Sequence, residues 1–268
     1  MDWLLYIPLL AFLLLLGGEA WLGRRQPNRH GPWDWAIHLS GFAFQGAVIP
    51  ACGYLLASRA LPAALPDFAN VVPLGWVGAF LLNFVFVDFL FYWQHRLFHR
   101  SPGLWKLHCC HHTAARVDVW VTSRNSLLTH FLFVYLLVNP LLGYLVDRPD
   151  AFFAGAALTA SLDLFRHASL DYGRVPGAAR LAAILGQVFV LPSAHHRHHG
   201  SSESEVAGNF GANLIVWDRL FGTRLPGGGY PDAYGVKDSP DPLSQLIYPL
   251  KAPAGASHPA AAKHAPEP

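Results

Sequence analysis

The stretch WLLYIPLLAFLLLLGGEAWLG, residues 3–23, decides the class of fold. It carries one charged side chain, Glu19, near its end. A helix needs about 20 apolar residues to cross the hydrocarbon of a bilayer. Trp3 and Tyr6 stand at one end and Trp21 at the other, the interfacial positions that aromatic rings prefer. Asp2 and the lack of a basic residue before the apolar run make it a span rather than a cleavable signal peptide.

Outward from that stretch, residues 36–58, 72–93 and 127–146 form three more apolar runs of spanning length. A fifth, residues 151–167, is shorter and carries Asp163; it leaves the bilayer early or re-enters it. The expected fold is an all-α integral membrane protein with about four to five transmembrane helices. Composition agrees. Of 268 residues, 13% are charged and 53% hydrophobic, against about 25% and 45–50% in soluble domains. A net charge of +2 leaves no footprint for nucleic acid. Cys52, Cys109 and Cys110 are too few for a disulfide framework. Residues 1–250 read as one membrane-embedded domain. The rest, KAPAGASHPAAAKHAPEP (residues 251–268), is a Pro/Ala-rich tail expected to be disordered.

Basic residues set the orientation. With the N-terminus outside, every Lys and Arg except Arg59 and Arg148 falls on the cytosolic side. The membrane is then a bacterial inner membrane or the endoplasmic reticulum.

Nine histidines lie on that same side: His95 and His99 in HRLFH, His108, His111 and His112 in HCCHH, His167, and His195, His198 and His199 in HHRHH. At about 100° per residue, positions i, i+3 and i+4 share a helix face. His108, His111 and His112 therefore share one face, while Cys109 and Cys110 turn away from it. His195, His198 and His199 repeat the spacing and leave His196 at the margin, a spacer or a support for the others. Neutral imidazole suits iron, zinc, copper and nickel. A structural zinc site closes at four ligands, so eight or nine histidines imply two ions. No box contains the Glu that serves as base in HExxH zinc proteases, which favours a redox pair. The expected site is a helical cap on the cytosolic side carrying a histidine-rich di-metal centre.

The boxes resemble the fatty acid hydroxylase/sterol desaturase superfamily of membrane-bound di-iron oxygenases. Three segments carry the resemblance, within residues 83–223: DFLFYWQHRLFHRSPGLWKLHCCHH (88–112), LPSAHHRHHG (191–200) and NFGANLIVWDRLFGT (209–223). It implies that His95, His99, His108, His111, His112, His167, His195, His198 and His199 ligate two irons, and that dioxygen is activated to hydroxylate a C–H bond of a fatty acyl, sterol or ether lipid. Many members carry Arg-x-His-Pro after the second box; here SRNSLLTH (123–130) stands there, and with HHTAARVDVWVTSR (111–124) it is closer to the alkylglycerol monooxygenase branch. Some relatives have a histidine where this chain has Asp163, which then ligates iron, orients His167 or caps the helix.

Asp88, an intramembrane carboxylate, is expected to orient a ligand rather than to coordinate. His130 reads as a core histidine, His30 and His38 as interfacial, and His258 and His264 as solvated tail residues. Trp217, Phe221 and Gly222 are expected to pack and turn the chain. No flavin, nucleotide or haem motif occurs, so electrons come from a partner: a redox protein or, as in alkylglycerol monooxygenases, tetrahydrobiopterin. The same site could serve a lipid desaturase. A divalent-metal transporter is disfavoured because the histidines sit at helix exits rather than along a midplane path, and a non-catalytic zinc-binding membrane protein is the remaining alternative.

Overall fold

The computed structural model describes Leu4, residues 6–236 and residues 241–247. The tail assigned to residues 251–268 lies outside the described residues. Among them the chain is all helical, with only isolated β-bridges and no strand. In chain order the principal helices are α1 (Tyr6–Leu22), α2 (Pro32–Ala64), α3 (Gly75–Arg100), α4 (Pro102–His112), α5 (Leu127–Leu145), α6 (Pro149–His167), α7 (Ala178–Leu185), α8 (Pro192–His198), α9 (Val216–Leu220) and α10 (Pro242–Leu246).

Three of them, α2, α3 and α5, are long and apolar enough to cross a membrane. Helix α1 is apolar but only 17 residues long, and α6, at 19 residues, carries Asp163 and Arg166 in its last turns. Leu13, Leu14, Tyr54, Leu55, Val77 and Leu137 are among many large apolar side chains left exposed. Exposure on that scale fits a lipid environment. This is a membrane protein.

The long helices are not regular. Helix α2 opens into π turns at Phe44–Val48 and Leu56–Ala60, each followed two residues later by a proline, Pro50 and Pro62. Proline removes an amide donor and clashes with the preceding turn, and a wider turn relieves both. Helix α5 breaks at Phe133 (φ −62°, ψ 139°). The Gln94 side chain fills the break: its amide donates to the Leu132 carbonyl at 2.7 Å, and its oxygen accepts from the Val134 amide at 2.8 Å. A broken span inside a membrane needs such a substitute partner.

The apolar core joins α3, α5 and α6 through Val87, Phe91, Val134, Ala151 and Phe152. Gly155 lets α6 approach α3 closely, because a Cβ there would meet the Phe80 carbonyl oxygen at 2.9 Å. Helix α4 folds back against the end of α3 after the single residue Ser101, and α8 packs against the end of α6. The short helices therefore gather where α3 and α6 end.

Candidate metal centre

Helix α3 supplies His95 and His99, α4 supplies His108, His111 and His112, and α6 ends on His167. Helix α8 supplies His195 and His198, with His199 just beyond it. All nine are buried, none more than 5% exposed. They form two groups: His95, His99, His108, His112 and His198 in one, and His111, His167, His195 and His199 in the other. Within each group the nitrogens lie within 4.8 Å of one another.

Each HxxHH box is divided between the groups. In α4 the i, i+4 pair His108 and His112 joins the first group and His111 turns to the second. Around α8 the i, i+4 pair His195 and His199 joins the second group and His198 turns to the first. Residues four apart lie about 40° apart around a helix, and the third member is offset by about 60° or 100°. That is enough to face a neighbouring point.

The outer ring nitrogens fix the tautomers. His95 Nδ1 donates to the Phe210 carbonyl at 2.8 Å and His198 Nδ1 to the Gly208 carbonyl at 2.7 Å. His111 Nδ1 donates to the Arg124 carbonyl at 3.0 Å and His167 Nδ1 to the Asp163 carbonyl at 2.8 Å. A carbonyl only accepts, so each Nδ1 holds the proton and each Nε2 of a neutral ring is a bare lone pair. Yet His95 and His198 bring their Nε2 atoms to 3.1 Å, and His111 and His167 to 3.2 Å. Two lone pairs at that distance repel unless a cation lies between them. Each group contains one such pair. His99 and His112 also leave both ring nitrogens buried without a partner, which packing histidines do not do. The donor set therefore fits two metal ions, and imidazole without thiolate fits iron.

Burial keeps the rings neutral. His108, His111, His112, His195 and His199 are pushed well below the usual histidine range, first by desolvation and then by neighbouring histidines; in His111 the hydrogen bond to the Arg124 carbonyl acts against the shift. Desolvation takes His198 down to about 3. Ligands must be deprotonated to bind metal, and these are. The cysteines differ. Burial pushes Cys109 up to about 12 and Cys110 up to about 11, neither joins a group, and Cys109 Sγ donates to the Lys106 carbonyl.

Asp163, His196 and Asp88 lie outside both groups. Asp163 pairs with Arg166 at 2.6 Å and reaches His167 Nδ1 at 3.3 Å. His196 places Nε2 2.9 Å from the His167 carbonyl oxygen and Nδ1 2.8 Å from the Tyr234 hydroxyl, so both its nitrogens are engaged. Asp88 touches no histidine. It accepts from the amides of Asn213 and Leu214 and from the Trp217 indole. It thereby anchors the segment whose carbonyls at Gly208 and Phe210 hold His198 and His95.

Several supporting residues escape a search for ligand spacing. Asp218 accepts from the amides of Phe210 and Gly211 and from the Thr223 hydroxyl, all within 2.8 Å; burial raises its carboxyl to about 6. It is the Asp of the closing Trp-Asp-Arg signature, whose presence was the available signal. Arg124, whose carbonyl holds His111, is itself buried and bound to the Cys110 carbonyl and to Asp34. His38 is fully buried, 3.3 Å from His30, which reaches Asp118 at 2.8 Å. His130 is buried with Nε2 unpartnered.

Comparison with known proteins finds relatives of this chain. The chain is 33% identical over 163 residues to the ornithine lipid hydroxylase OlsE of Rhizobium tropici, covering 60% of this chain and 46% of that protein. It is 28% identical over 145 residues to the alkylglycerol monooxygenase of Xenopus tropicalis, covering 54% of this chain and 30% of that protein. The human alkylglycerol monooxygenase is 27% identical over 151 residues, covering 56% of this chain and 31% of that protein. The chain thus spans less than half the length of these relatives. No solved structure matches it. The fatty acid hydroxylase family model matches residues 80–223, more than half of the chain, and within that interval lie all nine histidines of both groups. The chain belongs to the fatty acid hydroxylase family.

Proposed function

We propose that this protein is a multi-pass membrane oxidoreductase that uses two irons and dioxygen to hydroxylate a lipid on the cytosolic face. The observation that carries the reading is the pair of facing Nε2 lone pairs in each histidine group, which calls for one cation in each. His95, His99, His108, His112 and His198 would hold one iron, and His111, His167, His195 and His199 the other. Bound iron supplies dioxygen activation and the oxidation of an unactivated C–H bond. One oxygen atom enters the lipid, the other leaves as water, and two electrons and two protons are consumed.

The chain's own groups prepare the site. The carbonyls of Gly208, Phe210, Arg124 and Asp163 hold four imidazoles in the tautomer that presents Nε2 inward. Complete burial excludes bulk water from the oxidising centre. The substrate is a membrane lipid, reaching the site from the bilayer. The electrons come from a redox protein or tetrahydrobiopterin; the second is supported by the likeness to alkylglycerol monooxygenases. Residues 83–223 carry the catalytic region within a domain of residues 1–250, on four to five spans (about 20 residues each), with the histidines in a cytosolic cap.

Two measurements test the proposal. Lipid profiles of cells with and without the protein should differ by species heavier by one oxygen atom, and the purified protein should contain iron. A mass loss of two hydrogens instead would make it a desaturase. Zinc alone, with no changed lipid, would refute the oxidoreductase reading.

A further inference from the structure

Over its last two turns the outer face of α3 mixes apolar and cationic side chains. Trp93, Arg96, Leu97 and Arg100 fall within about 100° of one another around the helix, and all but Arg96 are exposed. Arg96 is held by two aromatic rings: its Nη1 donates to the Tyr92 hydroxyl at 3.0 Å, and its Cζ lies 5.2 Å from the centre of the Trp93 ring. Trp93 in turn meets Phe221 at 4.9 Å, which sets α9 beside the end of α3. Val216, Arg219 and Leu220 share the outer face of α9. All three are exposed, as is Arg224 beyond them. Arg219 donates to Gln187, just past α7, where Leu181 and Ile184 are exposed too.

These four arginines are gathered against their own repulsion. Among the described residues, none of them forms an ion pair with a carboxylate. Asp218 attracts Arg96 and Arg224, but it is buried and already accepts from the Phe210 and Gly211 amides and the Thr223 hydroxyl. Partial burial and then the neighbouring Arg219 hold Arg224 below the usual arginine range. Arg96 and Arg100, one turn apart, repel each other, as like charges at that spacing do. The surface thus offers positive charge that the fold does not neutralise, and apolar side chains stand between the charges.

We propose that the end of α3 and helix α9 form a binding surface for the phosphate headgroup of an anionic membrane phospholipid. Arg96, Arg100, Arg219 and Arg224 face the phosphate, and Trp93 and Leu220 lie against the glycerol and the upper acyl chains. Three features select this occupant. The guanidinium fork matches phosphate oxygens, two donors to two acceptors. The surface lies where a helix long and apolar enough to cross a membrane ends, the depth at which headgroups stand and which tryptophan prefers. Exposed Trp93, Leu97, Val216 and Leu220 would lose nothing to an acyl chain, whereas an acidic soluble protein would leave them unmatched. The surface involves none of the nine histidines, so it stands whether or not the protein oxidises a lipid.

The full-length protein in detergent micelles is incubated with equal amounts of phosphatidylglycerol and phosphatidylcholine of identical acyl chains, freed of unbound lipid, and examined by native mass spectrometry. Both lipids carry a phosphate, but the choline cation cancels its charge, so phosphatidylglycerol should be retained in excess. The excess should fall about fivefold for each arginine removed, in Arg219→Gln with Arg224→Gln and, separately, in Arg100→Gln. The single variant changes one exposed side chain at a helix end and decides the matter if the double variant does not fold. Arg25→Gln, an exposed arginine after α1, should leave the excess within about twofold, since it lies off the surface and exposed charges are screened beyond about 10 Å. Equal retention of the two lipids overturns the surface. So does an excess that survives in the folded variants, or one that falls as far in Arg25→Gln.

Discussion

His167 stands alone in the sequence at the end of α6, yet its two nitrogens behave as those of the box histidines do. One donates to the Asp163 carbonyl and the other faces His111 and His195. Replacing it with alanine should abolish activity and remove about one of two irons while the protein still purifies folded; metal analysis beside a turnover assay checks this. Asp163→Asn should do less, about a 10–100-fold loss in metal affinity or activity, as for other groups that orient a ligand. Cys109→Ala with Cys110→Ala should leave bound metal unchanged, because both thiols keep their protons and lie outside both groups. Loss of an equivalent of metal from that double variant would contradict the placement. The i, i+3, i+4 spacing was legible as a shared face. The division of each box between two groups was not, because it depends on where α3, α6 and α8 come to rest. For the same reason Asp88 read as a partner of a histidine, whereas it holds backbone amides 125 residues away.

At the scale of elements, the closing segment is a clamp. Asp88 and Asp218 together fix residues 210–217 through backbone amides and the Trp217 indole, and the carbonyls of that segment and of Gly208 set His95 and His198. Asp218→Ala leaves two buried amides and a hydroxyl without their acceptor. It should cost about 1–3 kcal/mol for each group left unsatisfied and lower occupancy of the His95–His198 group first. Thermal melting and metal titration of the variant check both parts. The apolar runs were legible as helices since length and composition suffice to mark a span. The break in α5 was not, for residues 127–146 are uniformly apolar and the cause, Gln94, lies on another helix.

Over the whole molecule, acid should release the metal and destabilise the protein together. Unfolded, the box histidines take a proton below about pH 6.5. Folded, His198 resists until about 3, and His108, His111, His112, His195 and His199 are likewise held down. Below about 6.5 the unfolded chain therefore binds more protons, so stability present above that pH falls as the pH drops. Melting temperatures of the metal-free protein should hold nearly level from pH 8 to about 7 and decline with each step below about 6.5; a profile that stays flat or rises down to pH 5 would contradict the neutral, buried rings.

The crosswise division of the two boxes has one more consequence. Helix α4 and the α8 segment each lend side chains to both positions, so ordering either helix around the first ion to arrive also arranges part of the second coordination sphere. The entropy of fixing those helices falls mainly on the first binding event. Iron uptake should then follow a sigmoidal isotherm with a Hill coefficient above one, and a singly loaded species should be scarce in native mass spectra at half saturation. Two independent hyperbolic steps would mean that α4 and α8 are already rigid before any ion arrives.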